Sequence, residues 1–142
     1  MKGSDIMPGW KPHIIVGAAV PAALAFYTGF GADWTLSMGI AASAVGSLIP
    51  DIDAEYSKIR QICKPVAKFY DKFPKDNPFF EHRGLCMHSA LTLVPFIIFY
   101  LRFNHWITLG LFFGVLSHHM LDALSPQGLP NYFWKKWRMR DE

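Results

Sequence analysis

Charge is scarce in this sequence. Of its 142 residues only 18% are Asp, Glu, Lys or Arg, against 51% hydrophobic, where a soluble domain carries about a quarter charged residues. The deficit is concentrated. Between His13 and Pro50 the only charged side chain is Asp33, and between His88 and Pro126 only Arg102 and Asp122 intervene. Such runs do not make water-facing surface. Cysteine is scarce too: Cys63 and Cys86 are the only two, and neither has a CxxC partner, which argues against a thiolate zinc site. The net charge of +3 is too modest for the basic footprint of a nucleic-acid-binding domain. No nucleic acid partner is therefore expected, and no internal repeat or low-complexity tract is evident.

What remains is apolar chain. Residues 14–30, 34–49, 89–103 and 106–124 form four segments, each near the short end of the ~17–25 residues that cross a bilayer. Local bilayer thinning or interfacial anchoring can accommodate short spans. Gly17, Ala18, Gly39, Ala42 and Gly46 would let helices approach closely, as membrane packing favours. The fold expected is all-α, an integral membrane four-helix bundle of two helical hairpins, one domain over residues 1–142. The competing reading is a soluble bundle whose helices are apolar all round, but so small a bundle has too few layers to bury them.

Charge placement predicts the orientation. Lys2 and Lys11 precede the first segment. Residues 54–84 carry Lys58, Arg60, Lys64, Lys68, Lys72, Lys75 and Arg83, and the tail 126–142 holds Lys135, Lys136, Arg138 and Arg140. The two tight turns contribute only Arg102. Positive loops stay inside, so both termini and the long loop are expected to be cytoplasmic, where thiols remain reduced. Ala23-Leu24-Ala25 mimics a signal-peptidase site, yet the apolar run continues past it, and an uncleaved helix is expected.

The long loop has its own pattern. Ile59, Ile62, Val66, Phe69, Tyr70 and Phe73 recur at helical spacing with Lys58, Lys64, Lys68 and Lys72 between them. This predicts an amphipathic cytoplasmic helix, either lying on anionic headgroups or simply packing on the bundle. Tyr132, Phe133, Trp134 and Trp137 amid the basic tail read as an interfacial anchor.

Acids and histidines gather where the apolar segments end. His13 stands before the first, Asp51 and Asp53 after the second, His82 and His88 around the start of the third, and His118 with Asp122 near the end of the fourth. In a chain that crosses the membrane segment by segment, all of them fall on one side. If the PDID stretch is extended, Asp51 and Asp53 point the same way. His118 and Asp122 are four apart and share a helix face, the geometry by which helical ligand pairs hold a metal. The set exceeds what one tetrahedral zinc needs and would suit two divalent ions about 3.5–4 Å apart. Nitrogen and oxygen donors admit Zn, Mn or Fe.

Plainer roles exist for each. Asp51 and Asp53 could cap a turn, His13 could be an interfacial histidine, and His118 with Asp122 could satisfy each other. Ionisable groups in apolar segments are nonetheless expensive and mark function. His105 belongs to the outer turn and receives no role; Asp33 only shapes the other one. His119 lies about 100° around the helix from His118 and is read as supporting. Glu55 continues the acidic alternation but reads as a solvated loop acid.

Leu48-Ile49-Pro50-Asp51-Ile52-Asp53, then His82-Arg83-Gly84 with His88-Ser89, then Ser117-His118 with Asp122, together resemble the YdjM-type membrane-bound metal-dependent hydrolases. The likeness runs from about residue 13 to residue 128. It implies a bacterial or phage-encoded inner-membrane protein, all-α and multi-pass, distantly similar to zinc-dependent phospholipase C-like enzymes. Metal binding would carry over to His13, Asp51, Asp53, His82, His88, His118 and Asp122. The chain is compact, with a short tail, which puts any C-terminal functional element in doubt.

The expected function is a cytoplasm-facing hydrolase of a phospholipid or other amphiphilic phosphoester, using metal-activated water. Asp51 or Asp53 would bridge metals or orient the water. Arg83 would clamp the phosphate with its planar fork, unless it serves as a headgroup contact or an ion pair with Glu81. Membrane lipids are the expected partners, and a homo-oligomer stays open. Two other readings compete. One is a metal-binding or metal-transporting membrane protein, disfavoured by the apolar outer halves of the segments. The other is an interaction protein stapled by its metal.

Overall fold

The computed structural model describes residues 10–29, 33–54, 57–74, 77, 79–80, 84, 86–103 and 105–124. Among them there are only helices and turns. The elements are α1 (Trp10–Thr28), α2 (Trp34–Gly46), a 3-10 turn (Pro50–Asp53), α3 (Lys58–Ile62), α4 (Lys64–Tyr70), a 3-10 turn (Ala90–Thr92), α5 (Leu93–Phe103) and α6 (Trp106–Leu124).

The helix ends follow local chemistry. Pro12 sits in the first turn of α1, where its missing N–H costs nothing, and Gly29 closes that helix at φ +68°, the left-handed C-cap that glycine adopts freely. Asp33 caps α2 by accepting from the Leu36 amide at 2.8 Å. His105, given no role from the sequence, caps α6: its Nδ1 accepts from the Ile107 amide at 3.2 Å. Pro21 inside α1 forgoes one helical hydrogen bond.

Helices α1, α2 and α6 pack mutually, while α5 makes its main contact with α6 and buries no residue fully. The α2–α6 seam is held by small residues. A Cβ on Gly46 would stand 2.6 Å from the Leu111 carbonyl oxygen; one on Gly110 would strike the Gly39 carbonyl, and one on Gly114 the Ser43 carbonyl. Gly110 and Gly114 are one turn apart, the small-xxx-small spacing that lets membrane helices meet backbone to backbone.

Two segments, Trp34–Asp53 and Trp106–Leu124, are long and apolar enough to cross a membrane, and Ala90–Phe103 is apolar but shorter. Four such spans were expected. Helix α1 is long enough at 19 residues but carries Lys11, Pro12 and His13 in its first turn. The 11 residues of α5 rise only about 16 Å, against a hydrocarbon core of about 30 Å.

Three local expectations are corrected. Helix α1 begins before His13 rather than after it. PDID is a 3-10 turn, not an extended stretch, because Pro50 cannot donate and stops α2 from continuing. The amphipathic loop is not one helix but α3 and α4, broken at Cys63, where Pro65 follows closely and cannot sit inside a continuous helix. This pair packs on the 3-10 turn through Leu48, Ile52, Ile59 and Tyr70. Arg60 reinforces it, donating to the Ile52 carbonyl at 3.1 Å and to both Asp71 oxygens at 2.6 Å.

Candidate metal centre

Helix α1 runs antiparallel to α2 and α6, which run parallel to each other, and this brings the start of α1, the end of α2 and the end of α6 to one place. His13 occupies the first turn of α1 and is 2% exposed; His118 and Asp122 lie on adjoining turns of α6 at 0% and 2%. His88 arrives from the turn ahead of α5, and Asp51 and Asp53 from the 3-10 turn after α2.

Asp122 is the hub. Its Oδ2 lies 3.4 Å from His118 Nε2 and 3.6 Å from His88 Nε2, and its Oδ1 is 3.9 Å from His13 Nε2. Asp51 Oδ1 stands 3.7 Å from His118 Nε2. These separations exceed the 2.7–3.2 Å of a good hydrogen bond. They are close to what ligands sharing an ion adopt: two donors on a tetrahedral zinc with bonds of about 2.0–2.1 Å stand about 3.3 Å apart. Two sets of donor atoms, His13/His118/Asp122 and Asp51/His88/His118, each lie within 4.8 Å of one another. The donors therefore fit a divalent cation.

What stands behind each histidine supports this. His118 Nδ1 lies 2.7 Å from the Ser47 carbonyl oxygen, so Nδ1 carries the proton and Nε2 turns its lone pair into the site. His88 Nδ1 faces Asp53 Oδ2 at 3.2 Å, leaving Nε2 for Asp122. A carbonyl or carboxylate behind the ring is how proteins orient histidine ligands. The His13 and His118 rings stack at 4.0 Å, 21° from parallel, which locks both.

Asp51 and Asp53 do not point one way. A 3-10 turn advances about 120° per residue, so residues two apart diverge. The Asp51 side chain is 27% exposed beside His118, while that of Asp53 is 0% exposed behind His88. Asp53 thus lies behind His88, outside both donor sets. His82 and Arg83 lie outside the described residues, as do Glu55, Glu81 and the aromatic tail.

A family model described as YdjM inner membrane protein matches residues 7–138. The chain belongs to the YdjM inner membrane protein family. It is 33% identical to the uncharacterized protein YvsG of Bacillus subtilis over 92% of this chain and 76% of that protein. It is 33% identical to the inner membrane protein YdjM of Escherichia coli over 66% of this chain, and 32% identical to the uncharacterized protein ORF4 of Methanothermobacter thermautotrophicus over 48%. The matched region covers 47% of the Escherichia protein and 33% of the archaeal one. No solved structure matches.

Two further features complete this YdjM-family centre, and only the first carried no sequence signal. The Ser47 carbonyl is backbone, and no side-chain spacing announces it. His119 turns its Nε2 to the Met87 carbonyl at 3.1 Å, bracing the residue before His88. Among the described residues neither donor set includes a thiol. Burial, reinforced by the Asp53 carboxylate, pushes the Cys86 thiol up, and it does the same to the Tyr70 hydroxyl. Both stay protonated at neutral pH, with Tyr70 donating to the Phe80 carbonyl at 2.9 Å.

Proposed function

We propose that this YdjM-family chain is a metal-dependent hydrolase whose centre opens at the cytoplasmic membrane surface and acts on a phospholipid or another amphiphilic phosphoester. The observation that carries the reading is Asp122, buried among the imidazoles of His13, His88 and His118 at ion-sharing distances. Neutral imidazoles and carboxylates suit Zn, with Mn or Fe as alternatives. Such an ion, when bound, supplies an activated water and charge neutralisation on the phosphoryl oxygens.

The chain's own residues divide the work. His88, His118 and Asp51 would hold one ion, and His13 with Asp122 would contribute to a second. Both donor sets include His118, whose Nε2 would serve only one ion. Asp51, the most exposed of the three acids of the centre, would orient the attacking water. Arg83, next in sequence to His82, is assigned the phosphate clamp. In this reading α2 and α6, the two membrane-length segments, cross the membrane with α1 and the shorter α5 packed on them, and both termini and the basic loop lie inside, an orientation supported by the lysine and arginine bias.

Metal analysis of the purified chain, followed by a lipid and phosphoester hydrolysis screen, tests this. The reading fails if the protein holds no transition metal, or keeps it after His88→Ala and His118→Ala. A second reading has one observation in its favour. Most donors are nearly closed to solvent, as in structural centres, so the metal would staple the fold without catalysis. Stoichiometric metal with no turnover on any phosphoester would favour that account.

A further inference from the structure

The surface formed by α3 and α4 is divided into strips by its own packing. Ile59 and Tyr70 are buried against Ile52 of the 3-10 turn at 9% and 5% exposure and Ala67 is buried at 7%, while Ile62, Val66 and Phe69 stand outward at 67%, 47% and 60%. Val66 and Phe69, three residues apart, share a side of α4; Lys64 and Lys68, four apart, share another. The sequence allowed either a helix packed on the bundle or one lying on lipid. The structure buries one strip of these helices and leaves the other exposed.

The exposed strips have a consistent chemistry. Lys58, Lys64 and Lys68 are exposed, Lys72 follows in the next turn, and neither helix contains an acid. Arg60 is the exception and is already engaged by Asp71 and the Ile52 carbonyl. The unit is moored beside Asp51 and Asp53, at the end where the two membrane-length segments Trp34–Asp53 and Trp106–Leu124 both finish. A large apolar strip flanked by lysines at that level matches a bilayer boundary, and lysine stems reach past apolar neighbours to place the ammonium among phosphates.

We infer that α3 and α4 form a docking face for anionic phospholipid headgroups, with Ile62, Val66 and Phe69 entering the acyl boundary and Lys58, Lys64, Lys68 and Lys72 meeting the phosphates. Through the Arg60 contact to Ile52, the residue between Asp51 and Asp53, this face is joined to the turn that carries the acids. The inference stands apart from catalysis, since it needs neither metal nor turnover.

The full chain is reconstituted in nanodiscs of phosphatidylcholine alone or with phosphatidylglycerol, carrying a spin label at Phe69→Cys in a Cys63→Ser, Cys86→Ser background. Dissolved oxygen should relax the label more than a water-soluble nickel chelate, and anionic lipid should increase that contrast. A label at Lys68→Cys, on the basic strip, should read at the shallower headgroup level. Replacing Lys58, Lys64, Lys68 and Lys72 by Gln should abolish the anionic preference, each lysine contributing about fivefold. High salt should weaken it in the native sequence. Equal nickel access at Phe69→Cys and Lys68→Cys in both lipids would overturn the inference. So would dipolar broadening between labels, which would place a second copy of the chain on this face.

Discussion

The Nδ1 of His118 on α6 rests 2.7 Å from the carbonyl oxygen of Ser47, just past the end of α2. That carbonyl is available because the helix stops there. The last carbonyls of a helix lack intrahelical donors, and Pro50 prevents the chain from supplying them. Helix termination thus creates the acceptor that sets the tautomer of a buried donor.

Removal of donors should follow their order around Asp122. His118→Ala and Asp122→Ala should each lower metal affinity by more than the roughly 10–100-fold that loss of an orienting partner costs. Metal-to-protein ratios measured against a chelator of known affinity check this. Full occupancy in Asp122→Ala would remove the hub from the account.

Asp53→Asn should fall in the milder class. Its carboxylate faces His88 Nδ1 at 3.2 Å, so the change weakens orientation rather than deleting a donor. A loss of about 10–100-fold in metal affinity is expected, smaller than for His88→Ala in the same titration. A loss equal to or larger than that of His88→Ala would make Asp53 a direct ligand.

His119 should act through the backbone of Met87. His119→Ala is expected to cost about tenfold in metal affinity, and His119→Gln should recover much of it, because a glutamine N–H can reach the same carbonyl. Cobalt absorption spectra would report any change in the donor field. An alanine variant with unaltered affinity and spectrum would leave His119 a packing residue only.

Gly114→Ala should destabilise the α2–α6 seam. The new methyl would strike the Ser43 carbonyl, and overpacking of this kind costs about 1–3 kcal/mol. Thermal unfolding in detergent reads it. Gly39→Ala, whose added carbon would sit 3.8 Å from the Trp106 carbonyl oxygen, serves as the tolerated control.

Metal should leave as pH falls. Imidazole and carboxylate must be deprotonated to bind, so protons compete with the ion. Retained metal should drop over the range of about pH 8 to 5 in which histidines commonly take up protons. Chelation at neutral pH should lower the unfolding temperature, because an ion that binds only the folded state stabilises it by mass action. An unfolding temperature indifferent to chelator would argue against a built-in ion.

Much of this molecule follows from local sequence. Low charge with long apolar runs demands helices that satisfy their own backbone; Asp33 and Gly29 mark helix ends by capping chemistry, and the four-residue spacing of His118 and Asp122 places both on one face. The motifs around Asp51, His88 and His118 carried the family. Tertiary structure decided the rest. A 3-10 turn, imposed by Pro50, separates Asp51 from Asp53 and sends one toward His118 and the other behind His88. The Gly110–Gly114 seam brings the ends of α2 and α6 close enough for a backbone carbonyl to orient an imidazole, and the packing of α3 and α4 leaves one apolar strip buried and another exposed. Residue spacing governs what shares a helix face. Only the meeting of separate helices determines which atoms face one another, because that depends on how closely their backbones approach.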